Sequence, residues 1–321
     1  MGAPITSTSF AKALWPGVNS WYGKEYAEFP VEYTGLFDTF GSQRAYEEDV
    51  GVTSFGLAQV KPEGQAIAYD EESQAYVTRY THVVYGLGFV ITREIYEDDL
   101  YDVVGQRRAR GLAFSMRQTK ETVAANVYNR AFDPNYVGGD GAQMCANISD
   151  GGHPNFAGGI QSNRAETDSD LSEAALESAM IQMSKWTDDR GLRINIQANR
   201  LIVPVDLQFT AQRVLNSPYQ TGIHPGGGAT DNPNGGLHEI SAIYTMGALP
   251  GGYSVNHYLT DTNAWFLRSN LNKDGLKHFE RRGQEFGIDN DFETENAKYK
   301  ATERYSFGWT DWRAIFGNAG A

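Results

Sequence analysis

The chain has a single cysteine, Cys145, in 321 residues, which excludes a disulfide framework and a thiolate metal cluster. Positive charge is the second shortage: 27 Lys and Arg stand against 40 Asp and Glu, for a net charge of −13 and a pI near 4.9. No basic run occurs, so a protein that works by neutralising phosphates is excluded, and sequence-specific nucleic-acid binding is not expected. Arg107, Arg108 and Arg110 come closest, and they read as the solvated or ion-paired face of a helix. No apolar stretch approaches the length of a membrane span, and the N-terminus lacks the charged-then-apolar pattern of a signal peptide. Neither a membrane role nor secretion is expected.

Signatures of chemistry are also scarce. Gly226, Gly227 and Gly228 are not followed by Lys-Ser/Thr and open no helix, so they form no phosphate loop. No Gly-x-Ser-x-Gly elbow occurs, and Cys145 reads as a small, partly buried side chain rather than a nucleophile. The six histidines (82, 153, 224, 238, 257 and 278) never pair at ligand spacing. The run from Asp289 to Glu293 lacks the glycine and distal glutamate of a calcium loop and reads as a solvated acidic turn. With 40 acids, no carboxylate pair can be singled out. No catalytic residue, cofactor site or metal site is therefore assigned.

What is present is material for cores: 40% hydrophobic and 12% aromatic residues, in a length that allows two or three domains. Residues 1 to about 45 carry Phe10, Trp15, Trp21, Tyr22, Tyr26, Phe29, Tyr33, Phe37 and Phe40, interrupted by Pro16, Gly17, Pro30, Gly35 and Gly41. This reads as an extended arm whose aromatic side chains insert into something else, or as an irregular segment packed on its own domain. Phe55–Lys61 and Ala75–Ile95 are rich in β-formers and flank the turn Lys61-Pro62-Glu63-Gly64, which predicts a long hairpin. A two-stranded ribbon is marginal in water and needs a surface to lie on.

A helix is predicted from Tyr96 to Phe132. Glu97, Asp98 and Asp99 favour its first turn, and apolar residues recur at Leu100, Val103, Val104, Leu112, Met116, Val123 and Val127, with Gly105 and Gly111 as possible breaks. Further on, Asp170 with Glu173 makes a capping-box pattern for a helix through Trp186. Asn199–Pro204 reads as a short buried strand leading into a helix from Asp206 to Leu215. A glycine-rich loop from Gly222 to Gly236 follows. Ile240–Met246, Tyr253–Leu259 and Ala264–Arg268 look like strands, as do Lys277–Arg282 and Phe292–Phe316. The class is α+β.

This order of elements resembles the tailed-bacteriophage major capsid proteins of the Hong Kong 97-type fold. The resemblance spans essentially the whole chain and is carried best by NRLIVPVDLQFTAQRVLNSP and by the segment from Gly275 to Gly317. It implies residues 1–45 as an N-terminal arm and 46–94 as an E-loop hairpin. The peripheral domain would comprise 95–135 and 274–321 with a long spine helix, and the axial domain 136–273; residues 309–321 stay open between the two.

The implied function is a major capsid protein that assembles as pentamers and hexamers into an icosahedral shell around double-stranded DNA. It would be made in the bacterial host's cytoplasm and end in the virion. The hairpin begins too early to leave room for an N-terminal scaffolding extension, so a separate scaffolding protein and a portal are the expected partners, with a cement protein as a further one. Candidate inter-subunit contacts are Trp15, Trp21, Tyr22 and Phe29 in the arm and Lys61, Glu63, Tyr76 and Tyr80 in the hairpin. Some members crosslink a hairpin lysine to an asparagine; Lys61 has no identifiable partner and reads as an ordinary turn residue. An encapsulin-type shell would share the fold, and a β-rich soluble enzyme or binding domain is the reading from another class.

Overall fold

The computed structural model describes residues 22–94, 101–155, 159–218, 240–271, 275–291 and 296–321. The fold is mixed α and β. Two four-stranded sheets share one internal seam, and a two-stranded ribbon stands outside both.

The first sheet has the order β1-β10-β11-β4, comprising β1 (Asp38–Gly41), β4 (Val83–Ile91), β10 (Leu276–Asn290) and β11 (Ala297–Trp309). β11 alternates strictly enough to give each face its own chemistry: Tyr299, Ala301, Glu303 and Tyr305 are buried, while Lys298 and Lys300 are exposed. Phe89 lies opposite Tyr299 in the antiparallel register and stacks on it at 4.8 Å, and Tyr85 stacks on Tyr305 at 4.7 Å. Against this face runs α2 (Tyr101–Asn129), about 43 Å long at 1.5 Å per residue. Ala109, Leu112, Ala113 and Met116 form its buried stripe with Tyr22, Tyr26 and Ile91. Ala109 and Ala113 in the stripe let the helix approach the aromatic face closely.

α1 (Tyr33–Leu36) lies against α2, with the backbone N–H of Tyr33 donating to Glu121 Oε2 at 2.9 Å. The far end of α2 enters the seam between the sheets, where Tyr128 is packed edge-on by Phe37 and Phe266, with Ile202, Ala264 and Ile315 around them.

The second sheet has the order β12-β9-β7-β8, comprising β7 (Ala198–Pro204), β8 (Tyr253–Asn256), β9 (Trp265–Ser269) and β12 (Ile315–Asn318). Its core is Trp265, Leu201, Val203, Leu267 and Phe316, covered by Leu176 and Met183 of α3 (Glu173–Ser184), Ala211 and Val214 of α4 (Gln208–Asn216), and Ile243 of α5 (Ala242–Met246). β7 and β8 are parallel, as a crossover through helices requires. The last strand, β12, pairs with β9, so the end of the chain belongs to this second sheet. A short pair, β5 (His153–Pro154) and β6 (Ile160–Gln161), completes the strands among the described residues.

The ribbon pairs β2 (Tyr46–Val52) with β3 (Gln74–Thr81). This corrects the predicted hairpin twice. Its first strand lies before Phe55–Lys61, a stretch that is not strand at all, and its second apolar run splits at His82 into β3 and β4, which belong to different sheets. The acidic segment Tyr46-Glu47-Glu48-Asp49 forms a strand because its inward carboxylates meet partners: Glu47 accepts from Ser42 Oγ at 2.7 Å and Asp49 from Thr310 Oγ1 at 2.7 Å.

Of the two readings of the arm, its described part follows the one that packs on its own chain, with Tyr22, Tyr26, Tyr33 and Phe37 buried, though residues 22–28 are helical and not irregular. Three other expectations are corrected. The N-cap of α3 is Ser172, whose side chain accepts from Ala175 N, rather than Asp170. Ile240–Met246 is not a strand: Ser241 caps α5 by accepting from Tyr244 N, and Gly247 ends it in the left-handed region at φ 58°. Cys145 is fully rather than partly buried, and burial pushes its thiol pKa up. The helix continues through Gly105 and Gly111 without a break, while its predicted first turn, Tyr96 to Leu100, lies outside the described residues, as does the loop from Gly222 to Gly236.

Candidate assembly surfaces

Between β2 and β3 the chain makes a projecting loop over residues 53–73. Its neck is pinched by Thr53, whose N–H donates to Ser73 O at 2.9 Å while its hydroxyl oxygen accepts from Ser73 N at 3.0 Å. Its tip turns where Gln65 N donates to Pro62 O at 3.3 Å and Gly64 takes φ 77°. This is the turn predicted at Lys61–Gly64. Asp70 braces the inside of the loop, accepting from Gly56 N at 2.7 Å and Glu71 N at 3.0 Å, and these donors hold its carboxyl below the usual range. Arg190, in the turn after α3, reaches Asp70 Oδ1 at 3.5 Å.

With its backbone held this way, the loop presents large apolar side chains to solvent. Val60 is 93% exposed, Tyr69 88% and Leu57 80%, with Phe55 and Ile67 more than half exposed. Exposed Val50, Val52 and Val77 extend the surface along one face of the ribbon. Large apolar side chains exposed together make this loop a candidate interaction surface. A smaller apolar surface lies on the helices of the second body, where Phe209 of α4 is 69% and Met246 of α5 79% exposed, near Ile240 and Tyr244.

The eight predicted contact residues separate cleanly. Trp15 and Trp21 lie outside the described residues. Tyr22, at 1% exposure, stacks on Phe286 at 5.0 Å, and Tyr80, at 3%, packs edge-on against Phe279 at 4.9 Å, so both side chains are used inside their own subunit. Lys61 and Glu63 are exposed at the loop tip. Phe29 is half-buried against Phe114 at 5.2 Å. Tyr76 is half-buried where the ribbon crosses Gly139; a Cβ on that glycine would lie 2.4 Å from Thr78 Oγ1. The exposed apolar residues of 55–69, such as Leu57, Val60 and Tyr69, are not among the eight because their composition reads as strand. The available signal was an apolar run with no complementary strand to pair with.

Beneath the ribbon, the helix–sheet interface holds a buried charged group. Lys120 Nζ lies 3.8 Å from Glu303 and 3.9 Å from Glu280, and 5.1 Å from the Tyr33 and Tyr305 ring centres. Burial raises the Glu303 pKa above the usual carboxylate range. Burial, with Lys120 adding to it, pushes His278 down to about 3. Lys120, Glu303 and His278 are almost wholly buried while Glu280 is partly exposed, and the group has the character of a structural tie. Among the described residues no group of three or more His, Cys, Asp or Glu is placed to hold a metal, and no helix is long and apolar enough to cross a membrane.

Residues 75–318 match the phage capsid protein family, and the chain belongs to it. No curated protein sequence matches it. Among solved structures it is similar to the procapsid of bacteriophage JBD30, at 12% identity and TM-score 0.50, over 97% of this chain and 75% of that one. It is similar to the Mycobacterium phage Patience structure at 13% identity and TM-score 0.50, over 95% and 86%. To the capsid of cyanophage P-SCSP1u it is similar at 10% identity and TM-score 0.51, over 91% and 88%. At such identities the likeness is one of fold, and the fold is that of phage capsid proteins.

Proposed function

We propose that this chain is the major capsid protein of a tailed phage, with a Hong Kong 97-type division of labour among its parts. Residues 1–45 act as the N-terminal arm and 46–94 as the E-loop region. Residues 95–135 with the strands after 274 form the peripheral domain, in which α2 is the spine helix, and 136–273 form the axial domain. Because residues 315–318 are paired in the second sheet, the end of the chain is assigned to the axial side.

The observation that carries this reading is the loop of residues 53–73, which leaves Leu57, Val60 and Tyr69 almost uncovered in the single chain. Copies of the same chain supply the cover, with the ribbon of one subunit lying on the next and Phe29, Lys61, Glu63 and Tyr76 at or beside the contact. Repeated in pentamers and hexamers, many modest interfaces close a shell in which each gains from the others. The net charge of −13 suits a container for double-stranded DNA that must not hold its contents tightly. A separate scaffolding protein and a portal are the partners such assembly calls for, and a cement protein would bind the finished surface.

Negative-stain microscopy of the purified protein, alone and coexpressed with a scaffolding protein, tests the proposal. Uniform rings or icosahedral particles are expected. Persistent monomers under both conditions would overturn it.

A further inference from the structure

His82 is the single residue between β3, which belongs to the ribbon, and β4, which belongs to the first sheet. It is buried, and both ring nitrogens are bonded across the junction: Nδ1 to Ser306 Oγ of β11 at 2.9 Å and Nε2 to Ser42 Oγ, in the loop between β1 and the ribbon, at 3.0 Å. The partners fix the proton. Ser42 Oγ donates to Glu47 Oε1 at 2.7 Å and already accepts Arg44 N–H at 3.2 Å. Its remaining lone pair can only accept, so Nε2 carries the hydrogen and Nδ1 is the bare nitrogen receiving the Ser306 hydroxyl.

A proton added at Nδ1 would oppose that arrangement. The Ser306 hydroxyl would have to turn round, and the new cation would face Arg304 of β11, whose Nε donates to the His82 carbonyl at 3.4 Å, and Arg281 of β10. Phe279 of β10 faces the ring at 6.2 Å and offers no charge. The one carboxylate nearby, Glu47 of β2, is reached through Ser42 and lies 3.8 Å from Arg44. Burial first, then Arg304, hold the ring's pKa below its ordinary value despite Glu47.

Elsewhere the ribbon is anchored by a relay in which Tyr80 meets Thr310 Oγ1 at 2.6 Å, and Thr310 and Lys277 both donate to Asp49. Between β3 and β11 a cleft of about 330 Å³, lined by Val77, Tyr80, Gly138, Phe307 and Trp309 among others, leaves room for the ribbon to tilt.

We propose that His82 is a positioning residue at the hinge of the ribbon, a neutral clasp that fixes the angle of β2–β3 to the first sheet and releases when its ring is protonated. The sign follows from the depressed value: the clasp is at full strength above the ordinary histidine range and weakens as pH falls through it, because the opened junction takes up the proton more readily than the closed one. The hinge belongs to the single chain and rests on the capsid reading only for its consequence, a pH-dependent reach towards a neighbour. It therefore stands or falls independently of whether the chain assembles.

Amide hydrogen exchange on the full-length free chain at about pH 7.5 and about pH 5, corrected for intrinsic rates, tests it. Amides of 46–52 and 74–81 are expected to exchange about tenfold faster at the lower pH while β10 and β11 change little. His82→Gln, which keeps a donor and an acceptor without a titratable ring, is expected to give equal ribbon exchange at both pH values. A ribbon indifferent to pH in the parent chain, or a pH response retained in full by the variant, would overturn the proposal. The parent comparison decides by itself if the variant does not fold: acceleration confined to the ribbon supports the hinge, and its absence or its spread across the first sheet refutes it.

Discussion

The face of the first sheet that meets α2 and the loop beyond the ribbon are both rich in aromatic and branched residues, and the chain treats them in opposite ways. On the sheet, Tyr299, Tyr305 and Ile91 are covered almost completely by α2 and by their cross-strand neighbours. On the loop, residues as apolar as Leu57 and Val60 are held out in solvent. Apolar character alone therefore does not say whether a residue stabilises the subunit or its assembly. What decides is whether the same chain supplies an opposing surface.

Substitutions separate these two uses, and the largest effects fall in the bodies. Trp265→Ala removes a fully buried ring from the second core and should lower the stability of the free subunit by about 3–5 kcal/mol, read from its denaturant midpoint. Lys120→Met leaves Glu303 without its nearest cation, at a cost of about 3 kcal/mol near neutral pH. The pH dependence of that loss is a separate check. The Glu303 carboxyl titrates above its ordinary value in the fold, so its neutral form is the one the fold favours. The penalty should be smallest below the ordinary glutamate range and grow as pH rises through the raised value. Denaturation at two pH values reads this directly.

Effects at the ribbon should be smaller and local. Asp49→Ala breaks the tie to Lys277 and Thr310 and is expected to cost about 1–2 kcal/mol, with hydrogen exchange rising in β2 and β3 before the sheet. Leu57→Ser with Val60→Ser, at the exposed loop, should change the free subunit's stability by no more than about 0.5 kcal/mol. The same pair should abolish particle formation by size-exclusion chromatography. A loss of stability as large as that of Trp265→Ala would collapse the distinction between the two regions.

Much of this arrangement is legible in the sequence where a periodic pattern and its partner surface lie in one chain. The long helix and the strand Asn199–Pro204 follow from apolar spacing, and the tip of the projecting loop follows from Pro62 and Gly64. The C-terminal strands follow in part, since the first runs past Arg282 to Asn290 and Phe292–Phe316 breaks after Trp309, its end pairing in the second sheet. The ribbon's first strand is not legible because Glu47 and Asp49 look like turn residues until Ser42, close by, bonds the first and Lys277 and Thr310 come in from distant positions to bond the second. The opposite error at Phe55–Lys61 has the same origin: β-forming composition specifies a strand only where an edge is available to pair with it. Tyr22 and Tyr80 read as inter-subunit contacts because their partners Phe286 and Phe279 lie far along the same chain. At Ile240–Met246, local caps outweighed β-branched composition.

The central claim, that the loop's apolar residues are left for a neighbouring copy while those of the bodies serve the subunit itself, is tested most directly by oxidative footprinting of side chains in the free chain and in assembled particles. The account predicts that Phe55, Leu57 and Tyr69 react readily in the free chain and become protected on assembly, while Trp265 and Tyr299 are protected in both. Loop residues as reactive in particles as in the free chain would contradict it.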